Sequence, residues 1–151
     1  MSTLSIETKS GYSIIQLDRG SSNAINQELV DELKLRLEEF EEDDSCLGLI
    51  LTGKKGFFSA GLDVIELFDY DHFQIETFWK SFHELLKIMV AFPKPLIASV
   101  TGHAPAGGCV LALCCDYRVM AEGRFKIGLN EVPVGVLLPP VISTLYSFAI
   151  G

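Results

Sequence analysis

The chain has 151 residues, 48% of them hydrophobic, which is one domain's length with enough apolar material to build a core. Its 12 basic and 20 acidic residues leave a formal charge of -8, which excludes a nucleic-acid surface that depends on lysine and arginine to neutralise phosphates. An anionic ligand must therefore be met by local donors.

The four cysteines, Cys46, Cys109, Cys114 and Cys115, form no C-x-x-C pair and have no histidine at ligand spacing. They read as small buried hydrophobes in a reducing compartment, and no metal site is expected. Residues 1–10 lack a basic-then-apolar signal pattern, so a cytoplasmic protein is the default expectation. Two uncharged runs, 95–115 and 132–151, are cut by glycines and prolines such as Gly102, Pro105, Pro133 and Pro139. Neither can form one continuous membrane-spanning helix.

In chain order, Tyr12 to Leu17 has the alternation of a strand, and Gly20 to Ala24 is a loop by composition. From Gln27 the period becomes helical, with Leu29, Leu33, Leu37 and Phe40 on one face and Asn26 as cap. The acidic run Glu38 to Asp44 is a solvated helix end and loop. Leu47 to Thr52 is a short apolar run suited to a parallel strand.

Gly53-Lys54-Lys55-Gly56 makes a basic turn, solvated by default, whose lysines are the best local candidates for meeting a ligand phosphate. In the following stretch, a kink at Gly61 could turn the Leu62 N–H towards a ligand, with Asp63 to Leu67 continuing as a helical turn. Gln74 to Phe92 is a long helix with Ile75, Phe78, Trp79, Phe82, Leu85, Leu86, Met89 and Val90 on a broad apolar stripe and His83 at its boundary. Pro93 and Pro95 stop it.

Leu96 to Val100 is a strand that breaks in a tight turn at Gly102 and Pro105, and a buried helix begins at Gly107-Gly108. Two readings of the glycine pair stand level: close helix–sheet packing, or a helix start whose unpaired N–H groups receive a negative oxygen. No phosphate loop is present. Asp116 to Ala121 alternates like a strand, Arg124 to Gly128 suggests another, and Leu129 to Pro133 is a loop. Glu131 is the last charged residue, with apolar sequence after it. It is either an exposed loop glutamate or, drawn into apolar surroundings, a general base suited to neutral pH. Gly151 falls inside an uncharged apolar segment with no polar face, which suggests a lost partner segment.

Phe58-Ser59-Ala60-Gly61-Leu62-Asp63, Gly102 to Gly108 with Cys115-Asp116, Gly128-Leu129-Asn130-Glu131, and Asn23-Ala24-Ile25-Asn26 together resemble the crotonase, or enoyl-CoA hydratase/isomerase, superfamily. The resemblance implies an α/β spiral of strand-strand-helix repeats, with its C-terminal helical part missing, that forms a single acyl-CoA-binding unit over residues 1–151. It implies that the N–H groups of Leu62 and Gly107 hold a thioester oxygen. Each such donor is worth about 3 kcal/mol to an enolate-forming step. It also implies CoA-adenine contacts by the main chain of Ser22, Asn23 and Ala24, and pocket positions at Ala60, Gly61, Gly108, Val110 and Asn130.

Hydratases of this superfamily carry two glutamates, and the first falls here on Val110. With Glu131 as the one remaining carboxylate, the resemblance is closest to the delta-3,delta-2-enoyl-CoA isomerases, which act in fatty-acid metabolism and shift a 3-enoyl thioester to the 2-trans form. Neither metal nor separate cofactor is implied, since coenzyme A is part of the substrate. A homotrimer or dimer of trimers is implied for a chain with the family's C-terminal helices, and turnover by a chain without them would be impaired. The alternatives are an enoyl-CoA hydratase or other crotonase-type enzyme, and a non-catalytic CoA-binding module. His103 is expected to pack or face solvent, and Asp63 to cap the short helix.

Overall fold

The computed structural model describes residues 2–130, 135 and 137–150. The chain opens with a hairpin, β1 (Leu4–Lys9) and β2 (Tyr12–Leu17), and passes through α1 (Gln27–Glu42) into β3 (Leu49–Thr52) and β4 (Gly56–Phe57). Two helices follow, α2 (Val64–Phe68) and α3 (His72–Ala91). The next turn of the spiral is β5 (Leu96–Val100), β6 (Gly102–Pro105) and α4 (Gly107–Leu113). After it come β7 (Tyr117–Met120), β8 (Ile127–Gly128) and α5 (Pro140–Ile150). Strand, strand, helix thus recurs three times from β3 onwards.

Each repeat gives its first strand to one sheet and its second to another. The larger sheet runs β1-β2-β3-β5-β7 and the smaller β4-β6-β8. Only β1 and β2 pair antiparallel; β2 with β3, β3 with β5, β5 with β7, and β4-β6-β8 are parallel. Parallel neighbours need a crossover, and the helices supply it. The core lies between the large sheet and α1, α3 and α4. It is built from Ile15, Leu17, Leu29, Leu33, Phe58, Phe78, Phe82, Leu85, Ala98 and, from the wholly buried α4, Val110, Leu111 and Ala112. At about 1.5–3 kcal/mol for each fully buried large side chain, this packing is what sets the site loops in place.

Caps define the helices as the sequence predicts. Asn26 accepts from the Leu29 N–H at the start of α1, and Asp63 accepts from the Glu66 N–H at the start of α2. Asp71 and Gln74 form a reciprocal capping box that starts α3 two residues earlier than its apolar stripe suggests.

Four local expectations are corrected. The predicted turn over Gly102 to Pro105 is a strand, because the second sheet pairs it with β4 on one side and β8 on the other. The expected strand from Leu47 begins at Leu49, leaving Leu47 outside the ladder and exposed. Val90, placed on the buried stripe, is 59% exposed at the end of α3. Residues 4–9, unassigned in the sequence, form β1, whose side chains after Leu4 all face solvent and so carry no buried periodicity. No helix among the described residues is long and apolar enough to cross a membrane.

Candidate active site

Two loops, one after β2 and one after β4, are laced together by their main chains. The Ala60 N–H donates to the Ser22 carbonyl at 2.8 Å, the Ile25 N–H to Gly61 at 2.8 Å, and the Asp63 N–H to Ile25 at 2.8 Å. The last two form an isolated parallel bridge between Ile25 and Leu62. In that pattern residues 61 and 63 supply the bonds, so the Leu62 N–H faces away from Ile25 and stays available.

Side chains reinforce the lacing. Asn23 is buried with φ 52°, accepts from the Arg19 N–H at 3.0 Å and donates to the Phe58 carbonyl at 3.1 Å. The left-handed region that glycine usually fills is open to asparagine at modest cost. Ser59, fully buried, donates to the Asn23 carbonyl at 2.7 Å and accepts from the Gly61 N–H at 3.2 Å. Gly61, at φ 91°, then carries the chain over the start of α4.

There the backbones of the two predicted donor positions meet. A Cβ placed on Gly61 would lie 3.1 Å from the Gly107 nitrogen, and one placed on Gly107 would lie 3.3 Å from the Leu62 nitrogen. Ala106 stands at φ 47°, ψ -121° immediately before Gly107, without a side-chain cap. Such a conformation costs a non-glycine residue about 1–3 kcal/mol, and it sets the orientation of the peptide carrying the Gly107 N–H. Packing holds it, through the Ala106 N–H on the Gly128 carbonyl at 2.9 Å and the Val110 N–H on the Ala106 carbonyl at 3.0 Å.

Close packing, one of the two sequence readings, holds at both glycines, since a Cβ on Gly107 would stand 3.1 Å from Ile25 Cδ1. Gly108 is explained by packing, since its Cβ would stand 2.3 Å from the Ser59 carbonyl oxygen. Gly107 adjoins Leu62 and leaves an amide at the junction. With only seven residues, α4 offers little helix dipole beyond its individual N-terminal amides.

The remaining predicted positions spread outwards from this junction. Ser22, Ala24 and Ala60 are half-buried on the laced loops. Val110 is 1% exposed within α4 and belongs to the core. Asn130 is exposed after β8, beside a half-buried Leu129 that packs on the core. Glu131 lies outside the described residues. Lys54 is paired with Asp18 and donates to the Gly20 carbonyl at 2.8 Å, so it braces the loop, while Lys55 is exposed. His103 packs against the rings of Phe57 and Phe125 and accepts at Nδ1 from the Lys126 N–H.

Three residues absent from the sequence reading of the site hold it together: Ser59, Arg19 and Glu66. Arg19 Nη1 donates to the Ala24 carbonyl at 3.0 Å and to Asp63 Oδ2 at 2.7 Å, and Nη2 to Glu66 Oε2 at 2.6 Å. Glu66 also accepts from Asn26 Nδ2 and from the Tyr70 hydroxyl at 2.7 Å. The Glu66 N–H, then the Arg19 guanidinium, hold the Asp63 carboxyl below its ordinary value against the opposing effect of burial. Burial, then the bond to Glu66, raises the Tyr70 hydroxyl. The signals in the sequence are Ser59 within the Phe58 to Asp63 motif and a lone arginine before a Gly-Ser-Ser loop.

Among the described residues no group of three or more His, Cys, Asp or Glu is placed to hold a metal. Two open cavities run along α3, one lined by Gln27, Tyr70, Phe73, Gln74 and Thr77, the other by residues from Thr77 to Lys87. Neither includes Leu62 or Gly107.

Residues 7–151 match the family described as enoyl-CoA hydratase/isomerase. The chain is 37% identical over 147 residues to the mouse protein "Enoyl-CoA delta isomerase 1, mitochondrial", covering 96% of this chain and 51% of that one. It is 33% identical over 136 residues to "Probable enoyl-CoA hydratase" of Rhizobium meliloti (strain 1021), covering 89% of this chain and 52% of that one. The crystal structure of human mitochondrial delta3-delta2-enoyl-CoA isomerase superposes with a TM-score of 0.92 at 33% identity, over 96% of this chain and 58% of that one. The chain thus spans about half the length of the curated relatives it matches.

Proposed function

The chain belongs to the enoyl-CoA hydratase/isomerase family, and from that premise we propose that it acts as an isomerase moving the double bond of a 3-enoyl-CoA to give the 2-trans-enoyl-CoA. The observation that carries this reading is the meeting of the Leu62 and Gly107 backbones at one junction. Two amides aimed at one oxygen form an oxyanion hole, which stabilises a thioester enolate far more than the neutral carbonyl.

Glu131 is the base in this reading. It takes a proton from C2, the resulting dienolate spreads its charge onto the thioester oxygen held by Leu62 and Gly107, and the protonated Glu131 returns the proton at C4. Val110 supports isomerisation over hydration, because a hydratase would use a second carboxylate there to handle water. Ala60, Gly61 and Gly108 border the reacting thioester, Asn130 lines the pocket beside the base, and Ser22, Asn23 and Ala24 lie towards the CoA adenine.

Fatty-acid metabolism and, for a chain carrying the family's C-terminal helices, a homotrimer or dimer of trimers follow from the same reading. The four buried thiols suit a reducing compartment. The cytoplasm was the default expectation, and the names of the isomerase relatives point instead to the mitochondrion.

The test offers the protein a 3-enoyl-CoA and, separately, a 2-enoyl-CoA in water. Conversion of the first with little hydration of the second is the expected result. Hydration of the second alone would make the chain a hydratase, and thioester binding with neither reaction would make it a binding module.

A further inference from the structure

We propose that Arg19 is a positioning residue for the Leu62 amide, fixing the direction in which that donor points. The inference rests on the isomerase reading and adds a residue to it. Arg19 reaches both sides of the Ile25–Leu62 bridge at once. On one strand of the bridge it donates to the carbonyl of Ala24, the residue before Ile25, at 3.0 Å. On the other it donates to the side chain of Asp63, the residue after Leu62, at 2.7 Å.

A third bond, to Glu66 at 2.6 Å, ties the same guanidinium to α2, and Glu66 carries the tie to the α1 cap through Asn26. Arg19 is itself fixed by its own N–H on Asn23 Oδ1. It touches neither donor nitrogen, so it works through the backbone on either side of one of them.

Only a planar fork of donors serves two carboxylates and a carbonyl in fixed directions; a lysine ammonium has the charge without the geometry. The side chains of Arg19, Asp63 and Glu66 are 24%, 16% and 34% exposed. Pairs this close to solvent add little to global stability. Their effect is on geometry, and a donor displaced by about 1 Å costs about 10²-fold in rate.

The experiment compares wild type, Arg19→Met, Arg19→Lys and the surface control Arg36→Met, each as the whole chain. Two quantities are read: the position of the Leu62 amide resonance in the ligand-free protein, and kcat and KM on a 3-enoyl-CoA. Both Arg19 variants should shift the Leu62 resonance and lower kcat by about 10- to 100-fold, with KM changed by less than about threefold. Arg36→Met should change neither.

A Leu62 resonance that stays in place in the Arg19 variants overturns the proposal, whatever the activity. A shifted resonance with unchanged kcat in an active protein overturns it too. If wild type fails to isomerise while the resonance still moves, the isomerase reading fails and the clamp on Leu62 stands. Should Arg19→Met not fold, Arg19→Lys, which keeps stem and charge, carries the same comparison.

Discussion

Gly108 and Ser59 approach so closely that a Cβ on the glycine would stand 2.3 Å from the serine's carbonyl oxygen. This contact seats the start of α4 on the loop that carries Leu62, and it brings the two proposed donors together.

Ser59 cannot retreat, because its hydroxyl is committed to the Asn23 carbonyl and the residue is fully buried. Gly108→Ala must therefore push α4 away from the loop. The expected cost is about 1–3 kcal/mol, as for overpacking in a core. Urea unfolding should show it as a lower midpoint at unchanged slope. A variant within about 0.5 kcal/mol of wild type would mean that the loop yields and that the glycine is dispensable.

Asn23 separates backbone from side-chain effects. Asn23→Ala loses the bonds to the Arg19 N–H and the Phe58 carbonyl and also forces a Cβ without local hydrogen bonding into φ 52°. Asn23→Gly loses the same bonds but not the backbone fit. Both should destabilise, by about 1–3 kcal/mol for the unsatisfied groups, with alanine worse than glycine by about 1 kcal/mol. Thermal or denaturant unfolding of the two variants decides the order, and alanine equal to glycine would show that the left-handed backbone contributes nothing.

Glu131→Gln keeps the shape of the side chain and removes the base. Under the proposed mechanism, turnover of a 3-enoyl-CoA falls by about 10² to 10⁴, with thioester affinity largely retained. Steady-state kinetics beside calorimetric titration of a CoA thioester would measure both, and an undiminished kcat would take Glu131 out of the reaction.

Most of the helices and the close approach of Gly61 and Gly107 are legible in the sequence, because both depend on local signals. The 3.6-residue stripes of α1 and α3 and the caps Asn26 and Asp63 are written within a few residues of one another. Gly61 and Gly107 show themselves as glycines where backbone must come close. What stayed hidden depends on partners distant in sequence. β6 looked like a turn until the second sheet supplied β4 and β8 as neighbours. β1 carries its pairing in the backbone alone, and Arg19 acquires its role only when Asp63 and Glu66, more than forty residues on, fold against it.

Two titrations should bracket the stability of the chain. The Asp63 carboxyl lies below its unfolded value of 3.8 because the Glu66 N–H and Arg19 favour its charged form. A group of this kind contributes stability above pH 3.8 that is lost as the pH falls through the lower folded value. Glu32 acts in the same sense, since bonds from Ser2 and Thr3 prevail over its burial. At the other end, burial pushes the Cys114 thiol from 9.0 up to about 12. The unfolded chain then releases its proton first, so stability is complete below pH 9.0 and declines as the pH rises towards about 12. Cys115 is raised by burial too, and steepens that decline. Urea unfolding across pH should give a plateau between these limits. Asp63→Asn should lower the plateau and flatten the acid limb, whereas Cys114→Ala should flatten the alkaline limb alone. An alkaline limb unchanged in Cys114→Ala would show that this thiol reaches solvent before the chain unfolds.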